Sequence, residues 1–272
     1  MKKAQKVIKY VAIALGLYLA VNIIGWIVFG FTLLLGIDME KNLFTGNEIE
    51  LEQYGQVFSD VEELDIEIDF VDFEVKIGEE LKVEGQIYDD FKIEVENKTL
   101  KIKDVNKKLI FNSNDAAQLT LYVPEDFQFM KAQIEIGAGT TNIEKLNVAH
   151  LDLNLGAGAV EIKNCNAEKT DIECGAGKLT IEQSSLENLN LDGGVGEFFY
   201  NGYILGNSTI ECGIGKVTLD LEGGEEMYSV EAEHGIGEIK INGSKVEDNK
   251  TQGSGENKIK IEGGIGEIQI NM

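Results

Sequence analysis

Residues 151–162 read LDLNLGAGAVEI. Apolar side chains stand at every second position, Leu151, Leu153, Leu155 and Ala157, and the alternation then restarts one place out of step at Val160 and Ile162. A period of two marks a half-buried β-strand, because successive side chains leave a pleated backbone on opposite faces. A change of parity by one residue turns every later side chain to the other face unless the backbone bends. The shift falls at Gly158 and Ala159, so the second glycine of the triplet reads as a corner or bulge between two strands. On this parity Leu151, Leu153, Leu155 and Ala157 all point inward.

The same triplet of glycine, apolar residue and glycine recurs through the second half of the chain. Its corners are Gly137 and Gly139, Gly156 and Gly158, Gly175 and Gly177, Gly194 and Gly196, Gly213 and Gly215, Gly235 and Gly237, and Gly264 and Gly266. The first glycines follow one another by 19 residues four times, then by 22 and 29. Such spacing describes coils, and a single coil cannot bury its own apolar face. Stacking the coils places Val160 beneath Leu179, Phe198 and Val217 in turn. The expected fold is therefore all-β: a β-solenoid, like a parallel β-helix, whose seven triplets build a stack roughly 30 Å tall at about 4.8 Å per coil.

The pattern extends toward the amino terminus in degenerate form. Residues 66–75, IEIDFVDFEV, lie over residues 134–143, IEIGAGTTNI, with Asp69 where Gly137 stands. Residues 58–272 thus read as one domain, with 58–130 an irregular entry portion and 131–272 the regular repeats. The acidic, weakly patterned residues 37–57 read as a linker, and residues 247–257, EDNKTQGSGEN, as a solvated loop. The final residues 265–272 are expected to form an uncapped edge open to a partner strand.

Ahead of the linker, residues 10–36 run without a charge, and Asn22 is their one strongly polar residue. As a helix these 27 residues span roughly 40 Å, more than the hydrocarbon core of about 30 Å. A cleaved signal peptide has an apolar core of only about 7 to 15 residues and ends at a small-residue site, which this segment lacks. Lys2, Lys3, Lys6 and Lys9 precede it and Asp38 and Glu40 follow it, so the expectation is a single-pass anchor with residues 1–9 cytoplasmic and the remainder extracytoplasmic.

The formal net charge is −24, and beyond residue 36 the chain carries 20 lysines against 48 carboxylates. A phosphate backbone repels such a surface, which excludes nucleic acid as a partner. Arginine is absent and proline occurs once among 31 glycines, a composition that suits strands joined by tight turns.

No constellation of catalytic residues stands out. Nucleotide-binding glycines sit between a strand and a helix, whereas these sit at strand corners in seven copies. Calcium-binding β-rolls repeat every nine residues with an aspartate; the segments GGVGEFF at Gly193 and GGIGEIQ at Gly263 follow a longer period and carry Glu197 and Glu267 instead, with Glu238 in the same place in a third coil. Cys174, Cys212 and His234 each precede a triplet, so they read as inward-facing core residues, with Cys212 and His234 on adjacent coils. Cys174 and Cys212 fall two coils apart, about 9.6 Å, beyond the reach of a disulfide. The remaining histidine, His150, has no G-x-S-x-G or comparable nucleophile motif beside it. No enzyme activity, cofactor or metal is expected.

A lysine-led apolar helix followed by repeats such as LDLNLGAGAVEI and VTLDLEGG resembles the bacterial putative-adhesin family of membrane-anchored β-strand-repeat proteins, which is largely uncharacterised. The resemblance covers residues 58–272 and implies a Gram-positive cell envelope. The long, chemically repetitive faces of an extracytoplasmic solenoid lead to the expectation of a surface adhesion or interaction module whose partner is a cell-wall polymer, a surface protein or a cationic peptide. The alternative that the resemblance implies is a regulatory component of the cell-envelope stress response to cationic antibiotic peptides.

Overall fold

Period-two alternation becomes strand along most of the chain. The computed structural model describes residues 51–88, 91–104, 117–246 and 250–272. Their strands are β1 (Glu52–Val57), β2 (Glu63–Gly78), β3 (Lys82–Ile87), β4 (Phe91–Glu96), β5 (Thr99–Asp104), β6 (Ala117–Pro124), β7 (Gln128–Ile143), β8 (Leu146–Lys163), β9 (Cys165–Glu187), β10 (Leu189–Leu205), β11 (Asn207–Leu221), β12 (Tyr228–Ile241), β13 (Ser244–Lys245), β14 (Gln252–Gly253) and β15 (Asn257–Asn271). One 3-10 turn, Glu225–Met227, precedes β12. The segment expected to anchor the chain, residues 10–36, lies outside the described residues. Among those described, no helix is long and apolar enough to cross a membrane.

The long strands stack in parallel, each forming most of one coil. The order is β2-β7-β8-β9-β10-β11-β15-β12. From β7 to β11 each residue pairs with the one 19 positions later, as Leu151 with Thr170 and Val160 with Leu179. Only β9 slips, by one residue opposite Tyr200 and Gly202. Residues 66–75 lie over 134–143, with Ile66 paired to Ile134 and Val75 to Ile143.

In-register stacking turns each inward position into a column. One runs Ile134, Leu153, Ile172, Leu191 and Ile210, all essentially inaccessible. A second runs Val160, Leu179, Phe198, Val217, Ile268 and Ile239. Each buried aliphatic side chain contributes on the order of 1.5–3 kcal/mol, which is what a lone coil forgoes and a stack recovers.

Two of the junctions between coils carry a second kind of corner. Asn164 and Asn188 take left-handed conformations, φ 49° and 50°, which asparagine tolerates better than most residues. Their side-chain amides donate to the carbonyls of Glu144 and Glu168, at 3.1 and 3.3 Å, tying each corner to the preceding coil.

Beyond the long parallel strands, both ends of the stack carry antiparallel pairs. At the amino-terminal end β2 meets β5 along its first half and β6 along its second; β4 pairs with β5, and β3 and β1 extend outward from β6. The last six residues of the expected linker are thus strand β1, because an edge of β3 is available to them.

At the carboxyl-terminal end one expectation fails. Strand β15 is not an edge: it lies between β11 and β12, hydrogen-bonded to both. The outermost coil is β12, whose free side meets β13 near Ile241 and β14 near Val230. Strands β13 and β14 thus form a small cap, beside which Lys250, Thr251, Ser254 and Glu256 stay exposed, as expected of a solvated loop. Asn257 fastens it, accepting from the amide of Gly206 at 3.0 Å and donating to the carbonyl of Met227 at 3.0 Å.

Candidate functional site

The glycine triplets form the edge where sequence placed the candidate residues. Gly139, Gly158, Gly177, Gly196, Gly215 and Gly266 all have φ between 131° and 153°, a region that L side chains rarely adopt. Glycine is also required for space. A Cβ on Gly158 would strike the carbonyl oxygen of Gly139, one on Gly215 that of Gly196, and one on Gly237 that of Gly266. The first glycines face the same limit: a Cβ on Gly137 would lie 2.6 Å from the carbonyl oxygen of Asp69, and those on Gly213 and Gly235 would lie 2.5 and 2.7 Å from the carbonyls of Gly194 and Gly264. Gly156, Gly175, Gly194 and Gly264 repeat this contact with the glycine of the neighbouring coil. The paired glycines thus let two bent backbones approach, a stacking constraint beyond the bend itself.

The residue between the glycines does not point into the core. Ala157 is exposed, as is Ala176, and Val195, Ile214, Ile265 and Ile236 are 54, 47, 48 and 51% exposed. The inward assignment of Ala157 is therefore corrected: the positive φ at the second glycine reorients the chain around the corner, so simple alternation stops applying at the first.

Ile136, before the first triplet, is buried, and the residue before each later triplet is half-buried; here the register matters. Cys174 pairs with Gly193 and Gly193 with Cys212, so the two cysteines are two coils apart. Cys212 and His234 are not on adjacent coils: Gly263 of β15 separates them. All three cysteines are free. Burial pushes the thiol of Cys165 up to about 12; burial, then Cys212 and Asp192, raises that of Cys174 to about 12; burial, then Asp192, raises that of Cys212 to about 11. Such thiols are poor nucleophiles and poor metal ligands. With Leu155, Val160, Leu179 and Phe198, Cys174 and Cys212 line a narrow apolar slot of about 50 Å³, well below the roughly 300–1,000 Å³ of small-molecule pockets.

Carboxylates beside the corners are held by lysines. Glu238 meets Lys240 at 2.9 Å and Lys245 at 3.3 Å, and Glu267 meets Lys240 at 3.2 Å. His150 lies on the outer face of β8, 3.1 Å from Asp171, whose carboxyl is held low chiefly by a hydrogen bond from Lys169 at 2.7 Å. No group of three or more histidine, cysteine or acidic side chains among the described residues is placed to hold a metal ion.

A family model described as Toastrack DUF4097 matches residues 88–271, more than half of the chain. The chain belongs to the Toastrack DUF4097 family. The Toastrack match begins just before β4 and runs to the end of β15, taking in every glycine triplet. No curated protein matches the chain. Nine chains of solved structures do. One, named a putative cell adhesion protein, from Clostridium sporogenes, is 18% identical with a TM-score of 0.39, over 82% of this chain and 99% of its own. A putative adhesin from Parabacteroides distasonis is 14% identical with a TM-score of 0.42, over 82% and 97%. A putative lipid binding protein from the same species is 18% identical with a TM-score of 0.36, over 83% and 98%.

Two columns of this Toastrack stack were not singled out by sequence reasoning. One is the exposed run Val195, Ile214, Ile265 and Ile236; the other lies two places before each first glycine, where Glu173, Asp192, Glu211, Glu262 and Glu233 follow one another from coil to coil. The signal was present: the residue between the glycines changes from alanine to valine and isoleucine along the chain.

Proposed function

We propose that this chain is a single-pass membrane protein whose repeat domain faces outward and serves as a non-enzymatic adhesion or interaction module. The in-register stack of coils carries this reading. It turns each outward position into a straight column, so a face offers the same chemistry rung after rung, as repeat proteins do toward extended partners. The anchor is residues 10–36, with the lysines before it in the cytoplasm. A cell-wall polymer or a protein on a neighbouring surface is the partner in this reading. Deleting residues 58–272 while keeping the anchor tests it: attachment to wall, host or neighbouring cells should fall, and unchanged attachment removes the proposal.

One observation favours a second reading. The column of carboxylates from Glu173 to Glu233 suits a regulatory component of the cell-envelope stress response that meets cationic antibiotic peptides near the membrane. A deletion strain with unaltered peptide sensitivity and unaltered stress signalling would remove it.

A further inference from the structure

Two surface features coincide in the same rungs. The residues between the glycines are small on β7, β8 and β9, namely Ala138, Ala157 and Ala176, and become Val195, Ile214, Ile265 and Ile236 on β10, β11, β15 and β12. These four side chains, each about half exposed, form a continuous apolar ridge. Beside it the carboxylate ladder is uninterrupted over the same rungs, Asp192, Glu211, Glu262 and Glu233, and extends one further to Glu173.

The ladder differs from the other acidic positions of this edge. Glu238 and Glu267 share lysines and the ladder's Glu262 is paired with Lys260, whereas no ion pair among the described residues joins a lysine to Glu173, Asp192 or Glu211. Like charges stacked about 4.8 Å apart repel one another, so the ladder gains most from cations brought by another molecule. A second copy of this chain would bring the same ladder and a large negative charge. The complementary occupant is basic, and the ridge requires that it also be apolar on one side.

Spacing selects its conformation. The turns of an α-helix rise about 5.4 Å, close to the roughly 4.8 Å between rungs, so side chains at every third or fourth position meet successive ridge residues. Ladder and ridge lie three residues apart on each strand with the first glycine between them, at most about 10 Å along the backbone and so within the width of a helix. Beside the ladder the first glycines leave a shallow groove lined by Asp192, Glu211, Glu262 and Glu233.

We propose that this edge docks a basic amphipathic helix of a partner, lying along the stack with its aliphatic stripe on the ridge and its lysines or arginines on the ladder. The proposal rests on the interaction-module reading and supplies the chemistry of the partner.

The test uses the full chain in zwitterionic nanodiscs and a fluorescent leucine–lysine peptide of about 18 residues with leucines at helical spacing, long enough to span the ridge. Empty nanodiscs and two further peptides serve as controls: one of the same composition with strict alternation, and one with glutamate for lysine. The helical peptide should bind at least about tenfold more tightly than the alternating one and gain helicity when bound. Ile214→Ser with Ile265→Ser should weaken it about tenfold. Asp192→Asn, Glu211→Gln and Glu233→Gln together should weaken it about tenfold and flatten its salt dependence. Glu79→Gln, Glu80→Gln and Asp126→Asn, which remove as much charge elsewhere, should change little. All these side chains are exposed, and unchanged melting curves would verify the fold. Equal binding of the alternating peptide, insensitivity to the ridge substitutions, capture of the acidic peptide, or self-association in place of peptide binding would overturn the proposal. If the peptide fails to bind while deletion of the domain still abolishes attachment, the partner chemistry is wrong and the interaction module stands; the converse result separates them the other way.

Discussion

Gly215 pairs with Gly266, residues 51 positions apart, although the triplet glycines from β7 to β11 pair 19 apart. The excess is 32 residues, the length of segment 225–256, which carries the 3-10 turn, β12 and the returning cap. Segment 225–256 is thus a coil laid down early and placed last. Strand β15 takes the position that an uninterrupted 19-residue repeat would assign to the coil after β11.

Removing residues 225–256 therefore restores the period, since Lys258 then falls 19 positions after Asn207, its observed partner. The shortened protein should remain β-structured and unfold cooperatively, at lower denaturant than the full chain because the cap over the last rung is lost. Circular dichroism with urea titration measures this. A shortened chain without a cooperative transition would contradict the inserted-coil account.

Much of this architecture was legible in the sequence because coil length and side-chain parity are local quantities. Nineteen-residue spacing gave the register of β7 to β11, and the likeness of residues 66–75 to 134–143 gave the pairing of β2 with β7. The order of the last three coils was hidden because spacings of 22 and 29 describe only how far apart the triplets lie, and a strand can enter on either side of its predecessor. The outward turn of Ala157 was hidden for another reason. Alternation assumes an unbroken pleat, and the positive φ of Gly158 breaks it. The ridge and ladder followed only once register was known, since each draws single residues from coils far apart in sequence.

Substituting alanine at Gly215 should destabilise the domain by about 3 kcal/mol or more, because the new Cβ meets the Gly196 carbonyl and φ is +149°. Gly243 has φ +74° with nothing within 4 Å, so Gly243→Ala should cost only about 1–2 kcal/mol. Urea titrations of the two variants give the contrast. Equal losses would mean that contact between coils is not what the triplet glycines protect.

Thr141 occupies the core column that holds Val160, Leu179 and Phe198 in later coils, fully buried and with its hydroxyl unpartnered. Thr141→Val keeps the shape and removes the desolvated group, so it should stabilise the domain by about 1 kcal/mol. A lower midpoint in urea would show that the hydroxyl has a partner after all.

The thiols of Cys165 and Cys174 at about 12 and Cys212 at about 11 lie above the ordinary cysteine value of about 8.5. Only the thiolate reacts, so alkylation at pH 8 should run about a hundredfold or more slower in the native protein than in urea. Because the unfolded chain ionises first, stability should fall as pH rises from about 8.5 toward these values and be independent of the thiols below it. Mass-spectrometric labelling rates and urea midpoints across this range check both statements.

The order of the outer rungs can be read directly by cysteine cross-linking on the ridge, where Ile214, Ile265 and Ile236 are exposed and the native thiols react slowly. Neighbouring strands lie about 4.8 Å apart, within disulfide reach, and strands two rungs apart lie about 9.6 Å apart, beyond it. On mild oxidation the Ile214→Cys, Ile265→Cys pair and the Ile236→Cys, Ile265→Cys pair should both form disulfides within one chain, while Ile214→Cys with Ile236→Cys should not. Cross-linking of 214 to 236 without 214 to 265 would place the coils in sequence order and contradict the inserted rung, the continuous ridge and the ladder together.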